Sequence, residues 1–414
     1  MNVKFKFIYI IFFIYLFNSF FFGQNKLTLD QCINLAFNNN EQLKIANIES
    51  KYYKESKKAS YEIPKTSFIY TQGQFNSIYN LDNNITVSQT IPFPTLLMAH
   101  SKLAKSYITG AEIKISSVKA DIGLQIKDLY YNLQHSLQEI ILLQKEDSIY
   151  DLFLKLEDSN NKLSKKSTLE KSTTISESYL IKSLISNAQM QINTFKIKLK
   201  TMMRTKELPD IYILSDDSRL LKLDTNLFIS SSHPFLLDLK EQINLCVQKK
   251  NVEVQKWFPD IMFSYFNQSI YGPANIYGTD YFLTRANRLQ GFQVGLNIPL
   301  FFKPHLSKVK AASLSIEVAT EEYHKNLKDM EGNYKVLVNE YIMTNKNIDY
   351  YSKNILKNAK EMSFQSLEAY NNKEINYIEY LSIISKSFEI ERNYLNLILE
   401  NNQSVLKLEY FLNK

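Results

Sequence analysis

Two stretches of this chain alternate apolar and polar side chains and end in Ile-Pro: Ile85-Thr-Val-Ser-Gln-Thr-Ile-Pro92 and Phe292-Gln-Val-Gly-Leu-Asn-Ile-Pro299. Their prolines are offset by 299 − 92 = 207 residues, which lays Ile85, Val87, Gln89 and Ile91 on Phe292, Val294, Leu296 and Ile298. The intervening positions, Thr86, Ser88 and Thr90 against Gln293, Gly295 and Asn297, are small or polar in both copies. A period of two with one greasy and one wet face is the pattern of a strand that separates water from core or hydrocarbon.

Each stretch sits at the same place in a longer repeated order. A helix led by the capping-box pair Thr28 and Gln31 is stopped by Pro64, and a helix opening at His233-Pro-Phe-Leu is stopped by Pro259. These stops are offset by 259 − 64 = 195, so the second hairpin holds 12 more residues than the first (207 − 195 = 12). The surplus is expected in an irregular outward loop from Tyr271 to Arg288, where Gly272, Pro273, Gly278 and several Asn read as breakers. Strands are predicted at about 67–76, 84–92, 260–268 and 291–299. After each Ile-Pro comes a run without proline, from Leu96 to Lys165 and from His305 to Lys414.

Apolar residues in those runs recur every 3.5 positions. Ile126, Tyr130, Leu133, Leu137 and Ile140 form one seam, and Ile181, Ile185, Ala188, Ile192, Phe195, Leu199 and Met202 another. In the second copy Tyr334, Leu337, Tyr341, Thr344, Ile348, Tyr351, Ile355, Asn358 and Met362 continue the pattern, which returns through Leu381, Ile384, Phe388, Glu391, Leu395 and Ile398. Two coiled-coil hairpins follow, about 95–205 and 305–412, with reversals near Ser167–Thr174 and Tyr370–Asn376. The chain is therefore read as mostly α with a small β part, duplicated as repeats 24–227 and 228–414.

Residues 1–23 carry Lys4 and Lys6, an apolar run from Phe7 to Phe17, and a small residue, Gly23, before Gln24. That is the layout of a secretory signal peptide, with an uncleaved anchor as the other reading. No Cys follows it to take a lipid. Cys32 and Cys246 are too few for a disulfide framework and are expected as small buried side chains. The charge of +7 is spread along helices among Glu and Asp, which fits a solvated face and no nucleic acid. With 9 glycines there is little material for phosphate loops, whereas 27 Tyr and 26 Phe suit membrane-interface girdles as well as cores. His100, His135, His233, His305 and His324 stand apart from one another, and no metal, nucleotide or nucleophile motif is present. No catalytic, cofactor or metal residue is proposed.

The duplicated order of helix, β-hairpin, Ile-Pro and long helical hairpin resembles the TolC-like outer-membrane efflux family of Gram-negative bacteria. The residues that carry the likeness are Leu27-Thr-Leu-Asp-Gln-Cys-Ile-Asn-Leu-Ala36, Pro64, Pro259, the two Ile-Pro pairs, and Ala104 and Ala311, each 12 residues past its proline. The resemblance implies a homotrimer whose protomers pool four strands each in a transmembrane β-barrel and continue as a periplasmic α-helical tunnel. It further implies a passive exit duct, coupled through a periplasmic adaptor (membrane fusion) protein to an inner-membrane pump, with no cofactor. In that family the reversals meet the adaptor. Carried onto this sequence, the contact candidates are Lys171, Ser172 and Ile175 in the first reversal and Tyr370, Asn372, Ile375 and Ile378 in the second. Asn371 and Asn372 stand where the family has Gly, and Asn tolerates a left-handed backbone. Glu374 and Glu379, tripled around an axis, are candidates for acidic rings at the pore entrance; solvated helix-end charges are the alternative. A periplasmic coiled-coil scaffold and a secreted enzyme remain the competing readings, and cargo is not legible.

Overall fold

In the computed structural model the described residues are 26–74, 80–159, 165–207, 210–212, 220–223 and 232–413, so the predicted leader lies outside them. They form two compact units. The helical unit takes the described residues up to Lys44, Val118–His233 and Asp329 onward; the sheet unit takes Ile45–Ser117 and Pro234–Lys328. Both cut across the sequence repeats, each unit drawing on both copies.

Helix α1 (Leu29–Asn39) starts at the Thr28 cap, where Thr28 N–H donates to Gln31 Oε1 at 2.9 Å and Gln31 N–H returns to Thr28 Oγ1 at 3.4 Å. Asn40 then turns the chain and caps α2 (Glu41–Lys58), its Oδ1 accepting Gln42 N–H at 2.8 Å. Strands β1 (Ser67–Gly73) and β2 (Asp82–Ile91) follow, then the long α3 (Pro94–Ser159) and α4 (Lys165–Met203). The second copy gives α5 (Pro234–Gln255), β3 (Asp260–Ser269), β4 (Gly272–Ile276), β5 (Thr279–Leu283), β6 (Arg288–Asn297) and α6 (Phe302–Tyr350). A π-helical turn, Tyr351–Ile355, leads into α7 (Leu356–Asn371), and α8 is Tyr377–Leu412.

The sheet runs β1-β2-β3-β6, every neighbour antiparallel. Both long strands that were expected to reach their proline stop short of it, β2 at Ile91 and β6 at Asn297, because proline has no N–H to give a ladder. The loop expected to be irregular is instead a second ribbon, β4 paired with β5. Its turn places Tyr277 and Gly278 at φ 51° and 81°, the two left-handed positions of a type I′ hairpin, and Asn275 Oδ1 takes Gly278 N–H at 2.9 Å. What read as a breaker is the turn itself.

In the helical unit, Ile126, Leu133, Ile181, Ala188, Ile192, Leu199, Leu395 and Ile398 of the expected seams are buried. One seam shifts: Asn358 is exposed and Ala359 is 1 % exposed in its place. The cause is the π turn just before it, where an extra residue per turn moves the phase of everything downstream. A segment at 220–223 is held by buried amides. Leu221 N–H donates to Asn402 Oδ1 at 2.9 Å, Asn401 Nδ2 donates to Leu221 O at 3.0 Å, and Leu223 N–H reaches Tyr341 Oη at 3.0 Å. Tyr341, Val405 and Leu408 form the core beneath it, with Leu221 and Leu223 packed on top.

The segment expected to hold the first reversal is helical. Lys165 already belongs to α4, so Ser167–Thr174 is helix, and Lys171, Ser172 and Ile175 lie within it. The hydroxyls of this Ser/Thr run bond back along the helix, Thr174 Oγ1 to Glu170 O at 3.0 Å and Ser176 Oγ to Ser172 O at 2.9 Å. Helix α3 ends at Ser159 and α4 begins at Lys165, and the residues between them lie outside the described ones. Cys32 is buried, and burial pushes its thiol up to about 11; Cys246 is only half-buried, contrary to expectation, on a helix with a narrow apolar face.

Candidate functional site

Two features concentrate the functional signal, one in each unit. In the sheet unit, cross-strand partners share a face, so the ladder fixes what each face carries. One face stacks the rows Ile91–Ile261–Leu296, Gln89–Phe263–Val294, and Phe68–Val87–Tyr265–Phe292. Phe292 is 85 % exposed and Val294 71 %, although both are large and apolar. The loop end of this face is polar, with Gln72, Asn83, Ser269 and Arg288 in one row; Arg288 Nε donates to Asn267 Oδ1 at 2.5 Å. The opposite face holds Ser67–Ser88–Ser264–Gln293, with Thr86 and Thr90 in the rows beside it. Aromatics gather at both ends of the strands. Phe93 stacks on Phe258 at 5.0 Å and Trp257 meets Phe302 at 6.0 Å near the helices, while Tyr271 meets Phe282 at 5.5 Å by the ribbon. An apolar band between aromatic girdles is how a strand ribbon meets a bilayer. Among the described residues the edges β1 and β6 have no further partner in the sheet.

In the helical unit, the α7–α8 turn is the second feature. Asn372 caps α7 in the right-handed region, Lys373 takes the left-handed position at φ 62°, and Lys373 N–H and Glu374 N–H reach back to Tyr370 O at 3.0 Å and Ala369 O at 2.9 Å. That is a Schellman turn. The left-handed residue is therefore Lys373 and not Asn371 or Asn372, because α7 runs through Asn371 before it turns. Helix α8 then opens on a capping box: Asn376 Oδ1 accepts Glu379 N–H and Glu379 Oε2 accepts Asn376 N–H, both at 2.9 Å.

Of the predicted contact residues, Tyr370 and Ile375 pack on one apolar cluster of Tyr150, Ile181, Tyr380, Leu381 and Ile384. Phe153 sits among three tyrosines, 5.4 Å from Tyr370, 6.2 Å from Tyr377 and 5.4 Å from Tyr380. Ile378 lines a groove of about 480 Å³ together with Thr173, Thr174, Glu177 and Ser385. Asn372 and Ser172 are exposed, and Lys171 and Ile175 half-buried. Glu374 is exposed, whereas the Glu379 carboxylate is engaged by its own helix end.

An ion pair lies further along α8. Arg392 holds Glu146, which is nearly fully buried; burial raises the carboxyl of Glu146 above the usual range, and the guanidinium pulls it back only in part. Lys182 bridges Asp151 at 3.0 Å and Asp147 at 3.8 Å. Phe153 and Tyr150 were not singled out in the sequence, although Leu143 and Tyr150 extend the Ile126–Ile140 seam on the same spacing. Among the described residues no group of His, Cys, Asp and Glu is placed to hold a metal ion, and no helix is long and apolar enough to cross a membrane.

Solved structures with this arrangement decide the fold. A membrane protein from Pseudomonas aeruginosa superposes with a TM-score of 0.75 at 12% identity, over 93% of this chain and 92% of that one. CusC, described for its folding and transmembrane channel formation, gives 0.74 at 13% identity over 94% and 92%; the Vibrio cholerae outer membrane protein VceC gives 0.72 at 14% over 93% and 95%. The chain has the TolC-like outer-membrane channel fold. No protein-family model and no curated protein matches it by sequence. At such identities the TolC-like fold is retained by pattern, not by residue identity.

Proposed function

We propose that this chain is the outer-membrane exit duct of a tripartite efflux or export system in a Gram-negative bacterium. The observation that carries it is the four-stranded sheet with one exposed apolar face and two unpaired edges. Four strands cannot close a barrel, and three copies joined edge to edge make a ring of twelve with lipid outside and the serine-rich face toward water. The helices continue from that ring into the periplasm. The Campylobacter jejuni CmeC and Neisseria gonorrhoeae MtrE structures of the same fold are outer membrane channels, which supports the reading. The duct is passive: an inner-membrane pump supplies the energy, and a periplasmic adaptor meets the helix turns through Tyr370, Asn372, Ile375, Ile378 and the α4 residues Lys171, Ser172 and Ile175. Tripled around the axis, Glu374 supplies the entrance acid, and Glu379 adds charge while capping its helix. Opening is a change in packing of the α7–α8 helices.

The test is conductance of the purified, detergent-extracted oligomer in a planar bilayer. Stepwise, voltage-tolerant channels are expected. A protein recovered without detergent in the soluble periplasmic fraction, monomeric and silent in bilayers, overturns the reading and leaves the coiled-coil scaffold in its place.

A further inference from the structure

The helices that border the two open sheet edges each carry an apolar stripe that the other described residues leave uncovered. On α2, which leads into β1, it is Ile45, Ile48 and Tyr52; on α6, which leaves β6, it is Leu314 and Val318, all more than half exposed. Helix α2 runs toward the sheet and α6 away from it, so neighbours joined edge to edge bring the two stripes together antiparallel.

The internal repeat supplies their register. Helices α3 and α5 flank the junction between the two copies within one chain, and there they touch: Asn244 Nδ2 donates to Ser106 Oγ at 2.7 Å, and Glu241 Cγ lies 3.7 Å from where a Gly110 Cβ would stand. Helix α6 repeats α3 at the offset of 207. Helix α2 repeats α5 at 193 in this region, where buried Leu43 and Ala46 match buried Leu236 and Leu239 (236 − 43 = 193; 239 − 46 = 193). The value rises to 195 by Pro64 because the first copy is two residues shorter between Ala46 and that proline. Transferring the contact places Ser313 beside Lys51 (106 + 207 = 313; 244 − 193 = 51) and Glu317 beside Ile48 (110 + 207 = 317; 241 − 193 = 48). Tyr107 and Ala111 become Leu314 and Val318, which fall on the same stripe. The rims are complementary. Lys51 on α2 and Glu317 on α6 are exposed, and among the described residues neither is ion-paired within the chain.

We infer that α6 of one copy packs on α2 of the next, Leu314 and Val318 against Ile48 and Tyr52, with Glu317 pairing Lys51 across the joint. The inference rests on the pooled-sheet reading and adds the surface that makes the assembly head-to-tail and closed.

The experiment uses full-length protein in detergent with Cys246→Ser, the buried Cys32 left in place. Ile48→Cys with Glu317→Cys is expected to form, on mild oxidation, covalent dimers and a covalent trimer in denaturing gels; Ile48→Cys with Lys308→Cys, off the stripe, is expected to form neither. In a second arm, K51E lowers the trimer fraction several-fold at low salt and K51E with E317K restores it to within about two-fold of the parent, as rim charge pairs do. A trimer that conducts but shows no cross-link and ignores both charge variants overturns this joint and leaves the duct reading standing. A chain that never assembles overturns both.

Discussion

Lys373 occupies a backbone position that costs every side chain except glycine's, since its Cβ crowds the neighbouring carbonyl at φ 62°. Lys373→Gly is therefore expected to stabilise the α7–α8 turn by about 1 kcal/mol, read as a higher midpoint in thermal unfolding, while Lys373→Val lowers it. Asparagines at 371 and 372 made a left-handed residue legible in the sequence, but not which residue would take it, because the helix end is set by where Tyr370 and Ile375 find their apolar cluster. Arg392 poses the sharper case. Removing it leaves the Glu146 carboxylate buried without its partner, so Arg392→Ala is expected to cost about 3 kcal/mol, and Glu146→Gln markedly less. The pH dependence follows from the raised carboxyl. The folded chain holds that proton to higher pH than the unfolded one, so this group's contribution is greatest below the ordinary glutamate range and is lost as pH rises through the raised value. In Glu146→Gln that slope should disappear from melts run across the acidic range.

At the level of elements, the ladder assigns opposite fates to neighbouring residues of β6. Val294 lies on the apolar face and Gln293 on the other. Val294→Lys is expected to cost about 2–4 kcal/mol if the face sits in lipid, and Gln293→Lys well under half of that. Refolding into lipid vesicles, followed by urea titration, measures both. The face opposite Val294 is not uniformly polar: Phe266 lies over Gly291, where a Cβ would come within 2.7 Å of its ring. Gly291→Ala should cost about 1–3 kcal/mol through that overlap, and Phe266→Leu in the same chain should recover most of it. The strands and the coiled-coil seams were legible because their periods, two and 3.5, are carried by many side chains at once. The β4–β5 ribbon and the true end of α3 were not. The ribbon depends on a two-residue turn, and Tyr277-Gly278 looks the same to a search for breakers whether it joins strands or fills a loop, while the hydroxyl-rich run at Ser167–Thr174 suits a helix end as well as the helix it forms.

For the whole molecule, fold was readable at a distance where residue identity is not: 12–14% identity to solved structures of the same fold leaves few shared side chains, yet the order of elements survives duplication and divergence. Among the described residues, the sheet of one chain ends in two edges that no further strand of that chain covers. The turn at Tyr351–Ile355 bears on how such a molecule tolerates change. A helix that already bulges there stores one spare residue. Deleting Asn354 would draw that slack out and leave each later side chain, Ala359 included, facing the way it faces now. The same loss in the middle of α4 would swing every following residue about 100° around the axis. Length variation among distant homologues of this chain should accordingly collect at that bulge, and trimming it should be silent where trimming elsewhere is ruinous.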